Sequence, residues 1–120
     1  MTPGVDAAPR VLIVEDEIMV SMMLEDRLEN AGYCVLAATN LGDALKLARE
    51  ELIDVAVLDV NLGGQCSFPV ADALRKRGIA FTFASGYGVE GLPPEYRDEA
   101  VLQKPYDTRA LLGLLASLQA

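Results

Sequence analysis

Two short, uninterrupted apolar runs, Val11-Leu12-Ile13-Val14 and Val55-Ala56-Val57-Leu58, constrain this chain more than any other feature. Runs that are apolar at every position, rather than at alternate ones, belong to strands buried on both faces, as in the centre of a parallel sheet. Each run stops at a carboxylate: the first at Glu15-Asp16, the second at Asp59. In a parallel α/β sheet the strand ends meet along one edge, so these acids converge.

The sequence between the runs supplies helices. Val20, Leu24, Leu28 and Ala31 recur at helical spacing, and Gly32 sits where a helix stops. A second strand is expected over residues 33–38. Leu41, Ala44, Leu45 and Ala48 then form another stripe behind Asn40 as a cap, with the helix ending near Glu51. Residues 61–67 read as a loop, with Gly63-Gly64 permitting backbone conformations that other residues resist. Pro69 suits the first turn of a third helix, which turns Val70, Ala73 and Leu74 inward and ends at Gly78.

Residues 79–84 form the next strand. Residues 88–98 carry Gly88, Gly91, Pro93 and Pro94, so a fourth helix there is short, distorted or absent. Residues 100–103 form the last strand. Asp107 or Thr108 caps a final helix with a stripe of Leu111, Leu114, Leu115 and Leu118. The alternation βαβαβαβ, a weak connection, then βα gives a doubly wound parallel sheet.

With 120 residues, 52% of them hydrophobic, the sequence forms one domain with a real core and leaves no room for a second module. Residues 1–9 read as a flexible tail and residues 10–120 as the domain. The start has no apolar h-region, and no run approaches the roughly 20 residues that span a bilayer, so a cytoplasmic location is expected. A net charge of −8 with scattered basic residues argues against nucleic acid or an anionic membrane as the main partner. Cys34 and Cys66 form no CxxC motif and the chain has no histidine, which removes the common zinc and haem arrangements.

Two later strand ends add to the acids: Ala84-Ser85-Gly86 and Lys104-Pro105. Singly, each signal has a plain alternative. Asp59 could open a turn, Asp16 could be the N-cap of the first helix, Ser85 could be a small turn residue, and Lys104 could be a solvated charge. Together they place three carboxylates, a hydroxyl and an ammonium on one edge. Two like charges about 4 Å apart repel by about 4 kcal/mol at an effective dielectric near 20, and a hard divalent cation relieves this. Such a set suits phosphoryl transfer to a carboxylate, with Asp59 as nucleophile and Ser85 and Lys104 on the phosphoryl oxygens.

The ordered set of acidic pair, Asp59 with Asn61 two residues on, Ser85 and Lys104-Pro105 resembles the receiver domain of bacterial two-component response regulators, over residues 10–119. The resemblance implies a flavodoxin-like (βα)5 fold with strand order 2-1-3-4-5, and Asp59 as phosphoacceptor. It also implies Mg2+ held by Asp16, Asp59 and the backbone carbonyl of Asn61, with Glu15 acting largely through water, and contacts from Ser85 and Lys104 to the phosphoryl group. The segment Phe81-Thr82-Phe83-Ala84-Ser85-Gly86-Tyr87-Gly88 further resembles the FAT GUY subgroup. The implied partners are a histidine kinase, of the HWE type or a relative, or a histidine phosphotransfer protein, followed by a downstream protein partner.

Val101 stands where the wider family has the aromatic whose rotamer reports phosphorylation, and Tyr87 and Tyr106 are the nearest aromatics that could respond instead. An order-to-disorder shift in residues 88–98 is the expected output. The whole reads as a stand-alone phosphoacceptor, a sink, relay or effector with slow self-dephosphorylation and not an enzyme in the usual sense. A receiver-like binding module that works without phosphorylation is the rival. A dehalogenase-type phosphatase wants an Asp where Asn61 stands, and a flavodoxin-like cofactor site wants a phosphate cradle where Glu15-Asp16 would repel phosphate.

Overall fold

The structure, a computed structural model, describes residues 8–86 and 92–119. The strands are β1 (Arg10–Val14), β2 (Cys34–Ala38), β3 (Val55–Asp59), the short β4 (Asn61–Leu62) and β5 (Gln65–Cys66), β6 (Ala80–Ser85) and β7 (Ala100–Gln103). The helices are α1 (Ile18–Asn30), α2 (Leu41–Glu50), α3 (Phe68–Lys76) and α4 (Thr108–Gln119), with a 3-10 turn at Pro94–Tyr96. The main sheet has the order β2-β1-β3-β6-β7 with every pair parallel. Counting its five strands alone, this is the expected order 2-1-3-4-5.

The apolar runs do what their continuity implies. Along β1 and β3, alternate residues serve opposite faces. Leu12, Val14, Ala56 and Leu58 join the core under α2 and α3, whereas Val11, Ile13, Val55 and Val57 join the core under α1 and α4. Each such Val, Leu or Ile side chain, fully buried, contributes about 1.5–3 kcal/mol. Leu24 and Leu28 of α1 and Leu111 and Leu115 of α4 close the second core. Ala31 is exposed and lies beyond the buried stripe of α1, and in α3 Ala71 is fully buried while Ala73 is only half-buried.

Helix boundaries follow local chemistry. The Asn40 side chain accepts from the Asp43 N–H at 2.8 Å, capping α2, and the Asp107 carboxylate accepts from the Ala110 N–H at 2.8 Å, capping α4. Arg77 ties the end of α3 to that of α2, its guanidinium donating to the carbonyls of Ala48 and Glu51 at 2.7 and 2.8 Å. Among the described residues between β6 and β7, the only helical element is the 3-10 turn, in keeping with the proline and glycine content there.

One expectation needs correction. The segment after β3 is not a plain loop but a two-residue hairpin, β4 pairing antiparallel with β5. Gly63 and Gly64 have φ of 59° and 94°, the conformation of a turn with positive φ at both central positions. An alanine at Gly64 would meet no atom within 4 Å, so its cost is backbone strain alone. Gly64→Ala should lower unfolding free energy by about 1 kcal/mol in a denaturant titration. Unchanged stability would mean that the turn relaxes into another conformation.

Candidate functional site

In this sheet the strand order reverses between β1 and β3, and ligands of open α/β sheets bind outside such a switch point, at the carboxyl ends of the strands. Glu15 and Asp16 follow β1 directly, Asp59 ends β3, Ser85 ends β6 and Lys104 follows β7. The register fixes their relation: Val14 pairs with Leu58, Asp59 with Ala84, and Ser85 with Gln103.

Ligand oxygens of Glu15, Asp16 and Asp59 all lie within 4.8 Å of one another. Glu15 and Asp59 are buried, at 3% and 8% exposure, whereas Asp16 is half-buried. The Lys104 ammonium sits 3.0 Å from Asp59 Oδ2 and 3.5 Å from Glu15 Oε2. Among the described residues, Lys104 thus pairs with two of the three carboxylates. Burial first, then the hydrogen bond and charge of Asp59, push the Glu15 carboxyl up to about 7, against the pull of Lys104 and the Glu17 N–H. Burial works against the charge on Lys104, but the hydrogen bond and charge of Asp59, with the charge of Glu15, outweigh it and hold the ammonium above its ordinary value.

Main-chain groups fix the cluster. The Glu17 N–H donates to Glu15 Oε1 at 3.2 Å, the Asn61 N–H to Asp59 Oδ1 at 3.4 Å, and the Gly63 N–H to Asp16 Oδ2 at 3.0 Å. The N-cap position of α1 is Glu17, so Asp16 does not cap that helix and serves the site instead. The Asn61 side chain accepts from the Gly64 N–H at 2.9 Å, which ties it to the hairpin. Lys104 N–H donates to the Ser85 carbonyl at 2.8 Å, locking the ends of β6 and β7 together. Ser85 is buried, and the Lys104-Pro105 peptide bond is cis.

Glu15, Asp16, Asp59, Asn61, Ser85 and Lys104 thus lie at one edge. The anchoring N–H groups of Glu17 and Gly63 were not anticipated; only the paired glycines hinted at the second. Tyr106 is half-buried beside the cluster and helps line a groove of about 360 Å³ with Val20, Met23, Leu24, Lys104 and Pro105. Burial raises its phenol pKa. Val101 packs half-buried against the core under α2 and α3, opposite Phe83 in register. Tyr87 lies outside the described residues.

An all-oxygen donor set of three crowded carboxylates fits a hard divalent cation, and poorly fits a soft metal. A sequence model of the response regulator receiver domain matches residues 11–116. This chain belongs to the response regulator receiver domain family. Receiver domains are the phosphoacceptor modules of response regulators.

Among curated relatives, an uncharacterized transcriptional regulatory protein, YbdJ of Bacillus subtilis, is 30% identical over 107 residues, covering 86% of this chain and 47% of the relative. The aerobic respiration control protein ArcA of Escherichia coli is 31% identical over 107 residues, covering 86% and 45%. The chain spans about half the length of these relatives. Among solved structures, SdrG from Sphingomonas melonis is 40% identical with a TM-score of 0.79, covering 94% of this chain and 98% of that one. The receiver domain of the hybrid histidine kinase CckA is 28% identical with a TM-score of 0.78, covering 92% and 99%. No helix among the described residues is long and apolar enough to cross a membrane.

Proposed function

We propose that the protein accepts a phosphoryl group from a histidine kinase or histidine phosphotransfer protein onto Asp59, and passes the signal on through a protein partner or a further transfer. The observation that carries this reading is the Asp59 carboxylate, held at the end of β3 with Lys104 Nζ 3.0 Å away and two further carboxylates at its side. One Asp59 oxygen attacks phosphorus as the P–N bond of the phosphohistidine breaks, and the electron pair stays on the imidazole nitrogen. Lys104 would contact one phosphoryl oxygen, and Ser85, at the end of the neighbouring strand, would donate to another. Mg2+ bound by Asp16, Asp59 and the Asn61 carbonyl, with Glu15 in support, would neutralise the incoming phosphoryl charge. Asn61 offers no acid or base where a hydrolase would carry one, so self-dephosphorylation is slow and the protein is not an enzyme in the usual sense.

Residues 10–120 make up the receiver domain in this reading, and the segment Phe81-Thr82-Phe83-Ala84-Ser85-Gly86-Tyr87-Gly88 supports the FAT GUY subgroup. Within that reading the kinase is of the HWE type or a relative, and the protein works in the cytoplasm. The test is incubation with phosphoramidate and magnesium followed by intact mass measurement. One phosphoryl group should add, and it should be lost in mild alkali, as an acyl phosphate is. No adduct, with magnesium present and the protein folded, would favour a binding module that works without phosphorylation.

A further inference from the structure

Three cations converge on a groove between α2 and α3. It holds about 350 Å³ and is lined by Arg49, Pro69, Asp72, Ala73, Lys76 and Arg77. Arg49 lies in the last turn of α2 and Lys76 in the last turn of α3, with Arg77 directly after it. The helix dipole favours a cation near each helix C-terminus, by about 0.3–1 kcal/mol. That accounts for a cation on each helix, but not for their meeting in one concavity. Three positive charges against the one carboxylate of Asp72 leave the groove two charges positive, in a protein whose net charge is −8.

The chain itself does not neutralise these cations. Arg75, on the same helix, pairs with Glu99 at 2.6 Å, yet among the described residues Arg49, Lys76 and Arg77 form no ion pair. Asp72 is engaged elsewhere, its Oδ1 accepting from the hydroxyl of the buried Tyr96 at 2.7 Å. Arg77 is held rigidly by Nη1 alone, which donates to both the Ala48 and the Glu51 carbonyl. Its Nε and Nη2 groups make no hydrogen bond among the described residues. That free edge is the one with which a guanidinium grips a phosphate in two parallel bonds.

We propose that this groove binds a small molecule through a diphosphate group. Arg77 presents a fixed fork to one phosphate, and Arg49 and Lys76, exposed and on long stems, close on the remaining oxygens. A single carboxylate would fill the fork but meet only half of the surplus charge, whereas a diphosphate meets all of it. The volume, at the small end of ligand sites, holds a diphosphate and part of the group that it carries. Asp72 lies one helical turn before Lys76, about 6 Å along the axis. Its Oδ2 takes no hydrogen bond among the described residues, so it offers an acceptor to a hydroxyl or amine on the rest of the ligand. The site does not depend on phosphoryl transfer to Asp59.

The probe is pyrophosphate, titrated without magnesium at fixed ionic strength and followed by calorimetry and by amide NMR shifts. Binding should saturate, with shifts centred on residues 49 and 69–77, and sulfate should bind about tenfold more weakly. Arg49→Gln and Lys76→Gln should each weaken pyrophosphate about tenfold at unchanged Tm, since each removes one charged hydrogen bond from an exposed position. Arg109→Gln, the same charge change on α4, should leave the affinity as it is. Shifts that never saturate, equal losses in all three variants, or shifts centred on residues 15, 16, 59 and 104 would overturn the site. Tighter binding of a polyglutamate peptide than of pyrophosphate would overturn the diphosphate and make the groove a docking place for an acidic protein.

Discussion

Replacing Asp59 by asparagine should reduce phosphoryl uptake from phosphoramidate or acetyl phosphate by more than about a thousandfold, because an amide replaces the carboxylate nucleophile held 3.0 Å from the Lys104 ammonium. The rest of the pocket should stay in place. Lys104 is held by its main-chain bond to the Ser85 carbonyl and Asp16 by the Gly63 N–H, and neither contact involves Asp59. Intact mass after incubation with magnesium reads the result. An adduct that persists in the variant and survives alkali would move the acceptor to Ser85. A second readout comes from Glu15, whose carboxyl is pushed up by burial first and then by the hydrogen bond and charge of Asp59. In Asp59→Asn its midpoint, followed by carboxyl NMR, should fall from about 7 toward 4.5. A midpoint unmoved by the substitution would show that burial alone sets it.

Sequence exposed the site because its chemistry is tied to strand ends. Continuous apolar runs fix where β1 and β3 stop, and the residue after the stop has nowhere to point but the sheet edge. The same logic placed Ser85 and Lys104. What stayed hidden was the scaffolding by main-chain donors. Asp16 reads as readily as a helix cap, and only the fold shows that the hairpin tip takes it, from 47 residues away. Strands of two residues carry no periodicity, so β4 and β5 could be read only from Gly63-Gly64 as a turn.

The contacts between α3 and the 3-10 turn were illegible for a related reason. Asp72 and Arg75 pass for the solvated face of α3, and Tyr96 for a lone aromatic in a proline-rich connection. Their partners lie 24 residues off in sequence, and no local rule links them. Sequence correctly placed disruption in that connection. It gave no sign that the short turn there is bound by a buried tyrosine. The stripe errors are smaller: Ala71 is buried where Ala73 was expected because α3 lies against both β6 and α2, which widens its apolar face.

Magnesium should stabilise this protein in a way that depends steeply on pH, since the cation and a proton compete for the same carboxylates. At a hundredfold excess over Kd the gain is about 2.7 kcal/mol, on the order of 10 °C in Tm for a domain of this size. Asp16→Ala should remove that rise. Its metal-free baseline carries two opposing effects, relief of repulsion and loss of the Gly63 hydrogen bond, so the difference with and without magnesium is the quantity to compare. Glu15 sets the pH window. Its carboxyl titrates near 7 when folded against 4.5 ordinarily, so its contribution to metal-free stability is full below 4.5 and is lost as pH rises through 7. That shift corresponds to at most about 3 kcal/mol. Metal-free Tm should therefore fall between pH 4.5 and 7, and Glu15→Gln should flatten the fall. The magnesium gain should run the other way, small at pH 6 and larger at pH 8, as the proton leaves and the third carboxylate becomes available. An equal magnesium gain at both pH values would separate Glu15 from the cation site, and leave Asp16 and Asp59 to hold the metal without it.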